Sequence, residues 1–180
     1  MAGRVRLLPV EFTFDSYKAV FKYQSIWSGY KNSVIYTIVG TLISIVFTLF
    51  AAYPLSRDDF RGQKLFTGLF LFTMMFSGGL IPTYLLVRNL KLIDTMWAIV
   101  LPGAVSAYNM IVARTFFKQT IPKELMEAAE MDGCSDFKFF SRIVIPLSTP
   151  IVAVLCLWVA VSLWNSYFNP MIYINSEDKY

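Results

Sequence analysis

Hydrophobic positions fall into long uncharged runs rather than one-sided helical stripes. Four runs carry no Asp, Glu, Lys or Arg: 33–55, 66–87, 96–113 and about 143–174. At 1.5 Å per residue, about 20 helical residues cross the hydrocarbon layer of a bilayer. The first two runs reach that length. The third reaches it when Arg114-Thr115-Phe116-Phe117 is added and Arg114 snorkels to the interface. The fourth exceeds one straight span, and Pro146, Pro150 and Pro170 divide it, which leaves a span over 150–169. Buried helices of a soluble protein show a polar face every 3.6 residues, and these runs are apolar all round. The pattern predicts an all-α fold, a polytopic transmembrane helical bundle with spans at about 33–55, 66–87, 96–117 and 150–169.

The segment before the first span is mixed. Asp15-Ser16 can cap a short helix, and Phe14, Tyr17, Val20 and Phe21 leave it one aromatic face. This predicts an interfacial helix within an N-terminal segment 1–32, with a loop folded over the bundle as the alternative. Breakers lie inside the spans: Ser77-Gly78-Gly79 and Pro82 in the second, Pro102-Gly103 in the third. Such interruptions shape pathways in transporters, although single glycines also serve plain helix packing.

Composition supports the membrane reading. Of 180 residues, 56% are hydrophobic and 16% charged, against roughly 25% charged in soluble domains. The chain has no histidine, so the commonest general base and metal ligand are lacking. Cys134 and Cys156 match no metal or redox spacing. No catalytic residue, metal site or cofactor of its own is expected. The net charge of +4 resides in basic residues between apolar runs, which suits membrane lipid better than nucleic acid. Arg4 and Arg6 lead only to Leu7-Leu8 before Pro9 and Glu11, so no signal-peptide core follows. With the N-terminus outside, Arg57, Arg61, Lys64, Arg114, Lys118, Lys123, Lys138 and Arg142 fall inside. Lys18, Lys22, Lys31, Arg88, Lys91 and Lys179 fall outside near span ends, a small bias toward N-outside. Trp27 and Trp97 then sit at the outer interface.

The longest polar loop, 118–142, reads as two short helices. Thr120 can cap the first, Pro122 sits in its first turn, and Glu124 suits its positive end. Gly133 ends it through the left-handed conformation, and Ser135-Asp136 restarts a helix through Phe137, Phe139 and Phe140.

This loop resembles the EAA loop of bacterial ABC importer permeases: Glu127-Ala128-Ala129, then Gly133, nine residues, and Ile143-Val144-Ile145-Pro146. Ile145 replaces the usual leucine. Such a pattern arises by chance on the order of once per million positions at average composition. Asp132-Gly133, Phe140, Pro146-Leu147-Ser148 and Pro150 resemble carbohydrate-uptake permeases related to the maltose system, as do Asn32-Ser33 and the stretch Ala51-Ala52-Tyr53-Pro54-Leu55-Ser56-Arg57. The stretch from Phe76 to Tyr84 and Trp164-Asn165-Ser166-Tyr167-Phe168 resemble the branch associated with oligosaccharides.

The resemblance implies a permease subunit of a sugar importer in the bacterial cytoplasmic membrane, not an enzyme. It implies a cytoplasmic loop 118–146 whose short helix, from about residue 122 to 132, couples to a separate ATPase. Coupling would fall to Glu127, Ala128, Ala129, Asp132, Gly133 and Pro146. The implied partners are an ATP-binding subunit dimer, a second permease subunit and an extracellular solute-binding protein. ATP belongs to the partner, since no Gly-x-x-x-x-Gly-Lys-Ser/Thr loop is present. Such permeases have six spans, so this chain is expected to lack the first and last, with 175–180 an outer tail. A sugar pathway combines aromatic faces with amides and hydroxyls, a mixture offered by Trp158, Trp164, Asn165, Tyr167 and Phe168, with Tyr84 and Asn109 as neighbours. The same aromatics could instead form the interfacial belt. Two readings compete: a permease for another solute, and a four-span membrane scaffold without transport.

Overall fold

The computed structural model describes residues 14–176. Among these every regular element is helical. A short α1 (Asp15–Phe21) precedes α2 (Gln24–Ser56). Then come α3 (Gln63–Met75), α4 (Leu80–Asn89), the single turn α5 (Trp97–Val100) and α6 (Ala107–Thr120). The loop helices are α7 (Lys123–Met131) and α8 (Asp136–Phe139). A wider π-helical turn over Phe140–Val144 carries the chain into α9 (Ile145–Leu147), α10 (Thr149–Trp164) and α11 (Phe168–Tyr173).

The helix boundaries differ from the expected spans in instructive ways. α2 starts at Gln24 rather than at residue 33 and is, among the described residues, the one helix long and apolar enough to cross a membrane by itself. The second run bends by 114° between α3 and α4, where Gly79 adopts φ +85°. The third run is cut around Pro102-Gly103. Its main piece, α6, has 14 residues and is about 21 Å long, short of the hydrocarbon thickness. The fourth run bends by 79° at Ser148, between Asp136–Leu147 and Thr149–Trp164, and stops at Trp164 rather than 169. Proline without an N–H and glycine without a side chain both weaken a helix from within, and uniform apolarity hides where the breaks fall.

The core gathers where α2, α6 and α10 pack together. Ile45, Leu49 and Ala52 of α2 meet Met110, Ala113 and Phe117 of α6, with Ile151 and Leu155 of α10. These spacings of three and four residues trace one face of each helix. Phe139, Phe140 and Val144 extend the core toward the loop helices. A smaller cluster joins Val87, Ala98 and Tyr173. None of α3 is buried, and Leu65, Phe72 and Met75 point outward. The aromatic residues Phe14, Tyr17 and Phe21 and the aliphatic Val20, at and beside α1, are also exposed. Arg4, Arg6, Glu11, Lys179 and the side chains of Asp15 and Ser16 lie outside the described residues, as does most of the tail 175–180.

Candidate functional site

Two places concentrate polar chemistry. The first is the end of the bundle that carries α7. Pro122, not Thr120, precedes this helix, because α6 runs through Thr120. Ile121 is extended, as a residue before proline prefers. Glu124 lies in the first turn of α7, where a negative charge meets the positive helix end. At the other end Gly133 has φ +71°. Its N–H donates to Glu130 O at 3.0 Å, and Cys134 N–H donates to Ala129 O at 2.9 Å. This pair of bonds is a Schellman turn, which needs a left-handed residue. Ser135 precedes α8 without a side-chain cap bond.

α7 has two faces. Ala129 is buried against the core, flanked by Leu125 and Met126. Glu127, Ala128 and Met131 are exposed, as are Asp132, Gly133 and Pro146. The two alanines therefore differ: Ala129 fits the helix onto its own bundle, and Ala128 remains on the outer face.

The loop after α2 ties this end together. Arg57 grips Asp59 with two bonds, Nε to Oδ1 at 2.9 Å and Nη2 to Oδ2 at 2.7 Å. It also donates to Asp136 of α8, to Glu130 of α7 at 3.4 Å and to Tyr53 Oη at 3.4 Å. Asp58 accepts from Lys118 at 2.8 Å and pairs with Lys123 at 2.6 Å. The Leu55 carbonyl accepts from Arg114 Nε at 2.7 Å and from Gln63 Nε2 at 3.0 Å. Hydrogen bonds from Lys118 and Lys123 lower the Asp58 carboxyl to about 2. The Arg57 fork lowers Asp59 in turn, and bonding to Asp59 raises the guanidinium further. A cavity of about 220 Å³ lies among these groups, between Arg57, Lys118, Lys123, Glu127 and Phe139. The sequence singled out Arg57 as part of a motif and as an inner basic residue, and Asp58, Asp59 and Asp136 not as its partners or those of Lys118 and Lys123. Their contacts span up to 79 positions, beyond any local pattern.

The second place is a cavity of about 310 Å³ between α2, α5, α6 and α10. Ser44, Ser106, Asn109, Ser162, Ser166 and Asn169 supply its polar groups, and Gly40, Ile99, Val100 and Leu163 part of its apolar wall. It contains no ionisable side chain. Ser106 caps α6 by accepting from Asn109 N–H at 3.4 Å. Asn169 also lines an adjoining opening of about 450 Å³ with Ser77, Thr83 and Tyr173.

Of the expected pathway residues, Asn109 lines the cavity. Trp164, Asn165 and Tyr167 do not: Asn165 Nδ2 donates back to Val161 O at 2.8 Å, and Trp164 and Tyr167 are exposed. Tyr84 stacks on Tyr173 with centroids 6.2 Å apart. Trp158 packs against Tyr108, and Phe168 faces outward. Ser162, Ser166 and Asn169 were not among the expected pathway residues; Ser166 and Asn169 lie beyond the end of α10, so no single helical face joins them in the sequence.

Comparison with known proteins places the chain in a family. Residues 23–176 match the family described as binding-protein-dependent transport system inner membrane component. The protein LplC of Bacillus subtilis is 43% identical over 97% of this chain and 59% of its own length. The polygalacturonan/rhamnogalacturonan transport system permease protein YtcP of Bacillus subtilis is 42% identical, over 97% of this chain and 60% of its own. The arabinooligosaccharides transport system permease protein AraQ of Halalkalibacterium halodurans is 32% identical, over 96% and 62% respectively. A crystal structure of a bacterial ABC transporter involved in the import of the acidic polysaccharide alginate superposes with a TM-score of 0.93. It is 38% identical, covering 99% of this chain and 63% of that one. The chain thus spans about 60% of the length of these relatives. With its helical bundle, its surface helix before a Schellman glycine and a matched region covering nearly all described residues, the chain belongs to the binding-protein-dependent transport system inner membrane components, which are transport permeases and not enzymes.

Proposed function

We propose that this chain is the core of a permease subunit that passes a sugar or oligosaccharide across the cytoplasmic membrane. A separate ATPase dimer drives it, a second permease subunit completes the path, and an extracellular binding protein delivers the solute. In this reading residues 33–174 form the permease domain, with 118–146 facing the cytoplasm and both ends of the chain facing outward. The observation that carries it is the cavity of Ser44, Ser106, Asn109, Ser162, Ser166 and Asn169 inside an otherwise uncharged apolar bundle. Hydroxyls and amides donate and accept, so they can exchange partners with the hydroxyls of a sugar, whereas the lack of charge disfavours ions and proton relays. The names of the relatives point to the same solute class. The exposed face of α7, with Glu127 and Ala128, is where the ATPase would dock, and the buried Ala129 and the turn at Gly133 would hold that face in place. Asp132 and Pro146 bound the loop on either side of α8.

Uptake of a labelled oligosaccharide by the intact transporter tests this. Asn109→Leu with Asn169→Leu should reduce uptake at least 10-fold while the complex still assembles. Undiminished uptake would remove the cavity from the path.

A further inference from the structure

Arg57 sits where three parts of the chain meet. It follows the last turn of α2, its side chain is only 13% exposed, and its guanidinium reaches Asp59 beside it, Glu130 of α7 and Asp136 of α8. A planar group with five N–H donors can serve several acceptors in different directions at once, which an ammonium on a flexible stem cannot do with the same rigidity. Asp59 takes two of those donors in parallel and fixes the plane. The remaining edge is turned to the loop helices. Apart from the pair of Lys123 with Asp58 in the same loop, the other contacts of α7 with the bundle run through apolar side chains such as Leu125, Met126 and Ala129. Apolar contact is non-directional and lets surfaces slide, whereas charge-assisted bonds set direction and register.

What lies behind Arg57 gives this geometry its meaning. α2 also lines the polar cavity through Gly40 and Ser44, about 20–26 Å from Arg57 at 1.5 Å per residue. The path through α8 and α10 crosses a π-helical turn and a 79° bend, and α3 with α4 bends by 114°. Two helices run from this end to the cavity without such a break: α6, which leads directly into α7, and α2, which is continuous through Pro54 and reaches the loop helices through Arg57.

We propose that Arg57 is a positioning residue: it couples displacement of α7 and α8 to α2, and through α2 to the cavity wall at Ser44 and Gly40. The inference builds on the reading of α7 as the face an ATPase moves. Asp58, bonded to Lys118 and Lys123, steadies the same loop from the opposite side.

The test uses the intact transporter in lipid nanodiscs and reads solute moved per ATP hydrolysed. Arg57→Gln should lower that ratio at least 10-fold, with ATP hydrolysis within twofold of wild type and unchanged recovery of the ATPase subunit. Arg57→Lys, which keeps the charge and loses the fork, should restore part of it. An unchanged ratio in Arg57→Gln overturns the proposal. So does a parallel fall in transport, hydrolysis and complex recovery, since that is the mark of a merely structural contact. If the wild-type complex moves no oligosaccharide, the proposed function fails by itself, and the connection is read by amide exchange. Binding of the ATPase subunit then changes amide exchange at residues 40–44 of α2 in wild type, and Arg57→Gln abolishes that change if the proposal holds and leaves it intact if it does not.

Discussion

The two polar regions of this bundle are built in opposite ways. At the α7 end, charges meet charges: Arg57 and Asp58 from one short loop engage Asp136, Glu130, Lys118 and Lys123 on α6, α7 and α8, while Asp59 holds Arg57. In the cavity between α2, α6 and α10, neutral hydroxyls and amides face an open volume without an ionisable group. The first arrangement fixes relative position, because ionic bonds with matched partners have one favoured geometry. The second leaves its donors and acceptors available. A region that must transmit movement and a region that must let a solute go have different physical needs, and the chain separates them by about half the length of α2.

The sharpest way to break the α7 end is at its turn. Gly133→Val places a β-branched residue at φ +71°, which costs about 1–3 kcal/mol. Amide exchange of α7 should accelerate at least several-fold, and recovery of the ATPase subunit should fall, while membrane insertion is unaffected. Unchanged exchange would mean that the turn tolerates a side chain.

A smaller effect distinguishes the ionic end from the neutral one by pH. The Asp58 carboxyl lies at about 2, below its model-compound value of 3.8, chiefly through the bonds from Lys118 and Lys123. Its folded value is depressed, so its contribution is fully present above about 4 and is lost as pH falls through about 2. Protection of α7 amides should decline over that window in wild type, and less in Asp58→Asn. Identical profiles would show that Asp58 does not hold the helix. The cavity has no ionisable group to titrate, and the geometry of its walls should be indifferent to the same change.

The smallest effect is expected at Asn165→Leu. Its amide donates to Val161 of its own helix and lies off the cavity, so uptake should stay within twofold of wild type, in contrast to the Asn109 and Asn169 changes. A loss comparable to theirs would extend the pathway beyond α10.

The same contrast explains what could be read in advance. The bounds of α7 and the glycine turn were legible because both depend on residues within a few positions of one another. Asn109 was legible as a lone amide in an apolar run. Asn165 lies off the cavity, although the sequence predicts a span over 150–169 that contains it. The actual helix ends at Trp164, and beyond that point helical facing no longer applies. The Arg57 cluster was illegible in its pairing, since nothing local in Arg57 announces Asp136. The breaks within the runs were visible as Pro and Gly, but their bend angles depend on packing between helices.

The length of α2 has a consequence for the surrounding lipid. Its 33 residues extend about 50 Å, more than the roughly 40–45 Å of a whole bilayer with its headgroups. A helix longer than its membrane accommodates the mismatch by tilting, and the tilt grows as the bilayer thins. Arg57 rides at one end of this rod and Trp27 near the other, so a change in acyl-chain length swings both. Under the proposed coupling, bilayer thickness would act on the same joint that the loop helices grip.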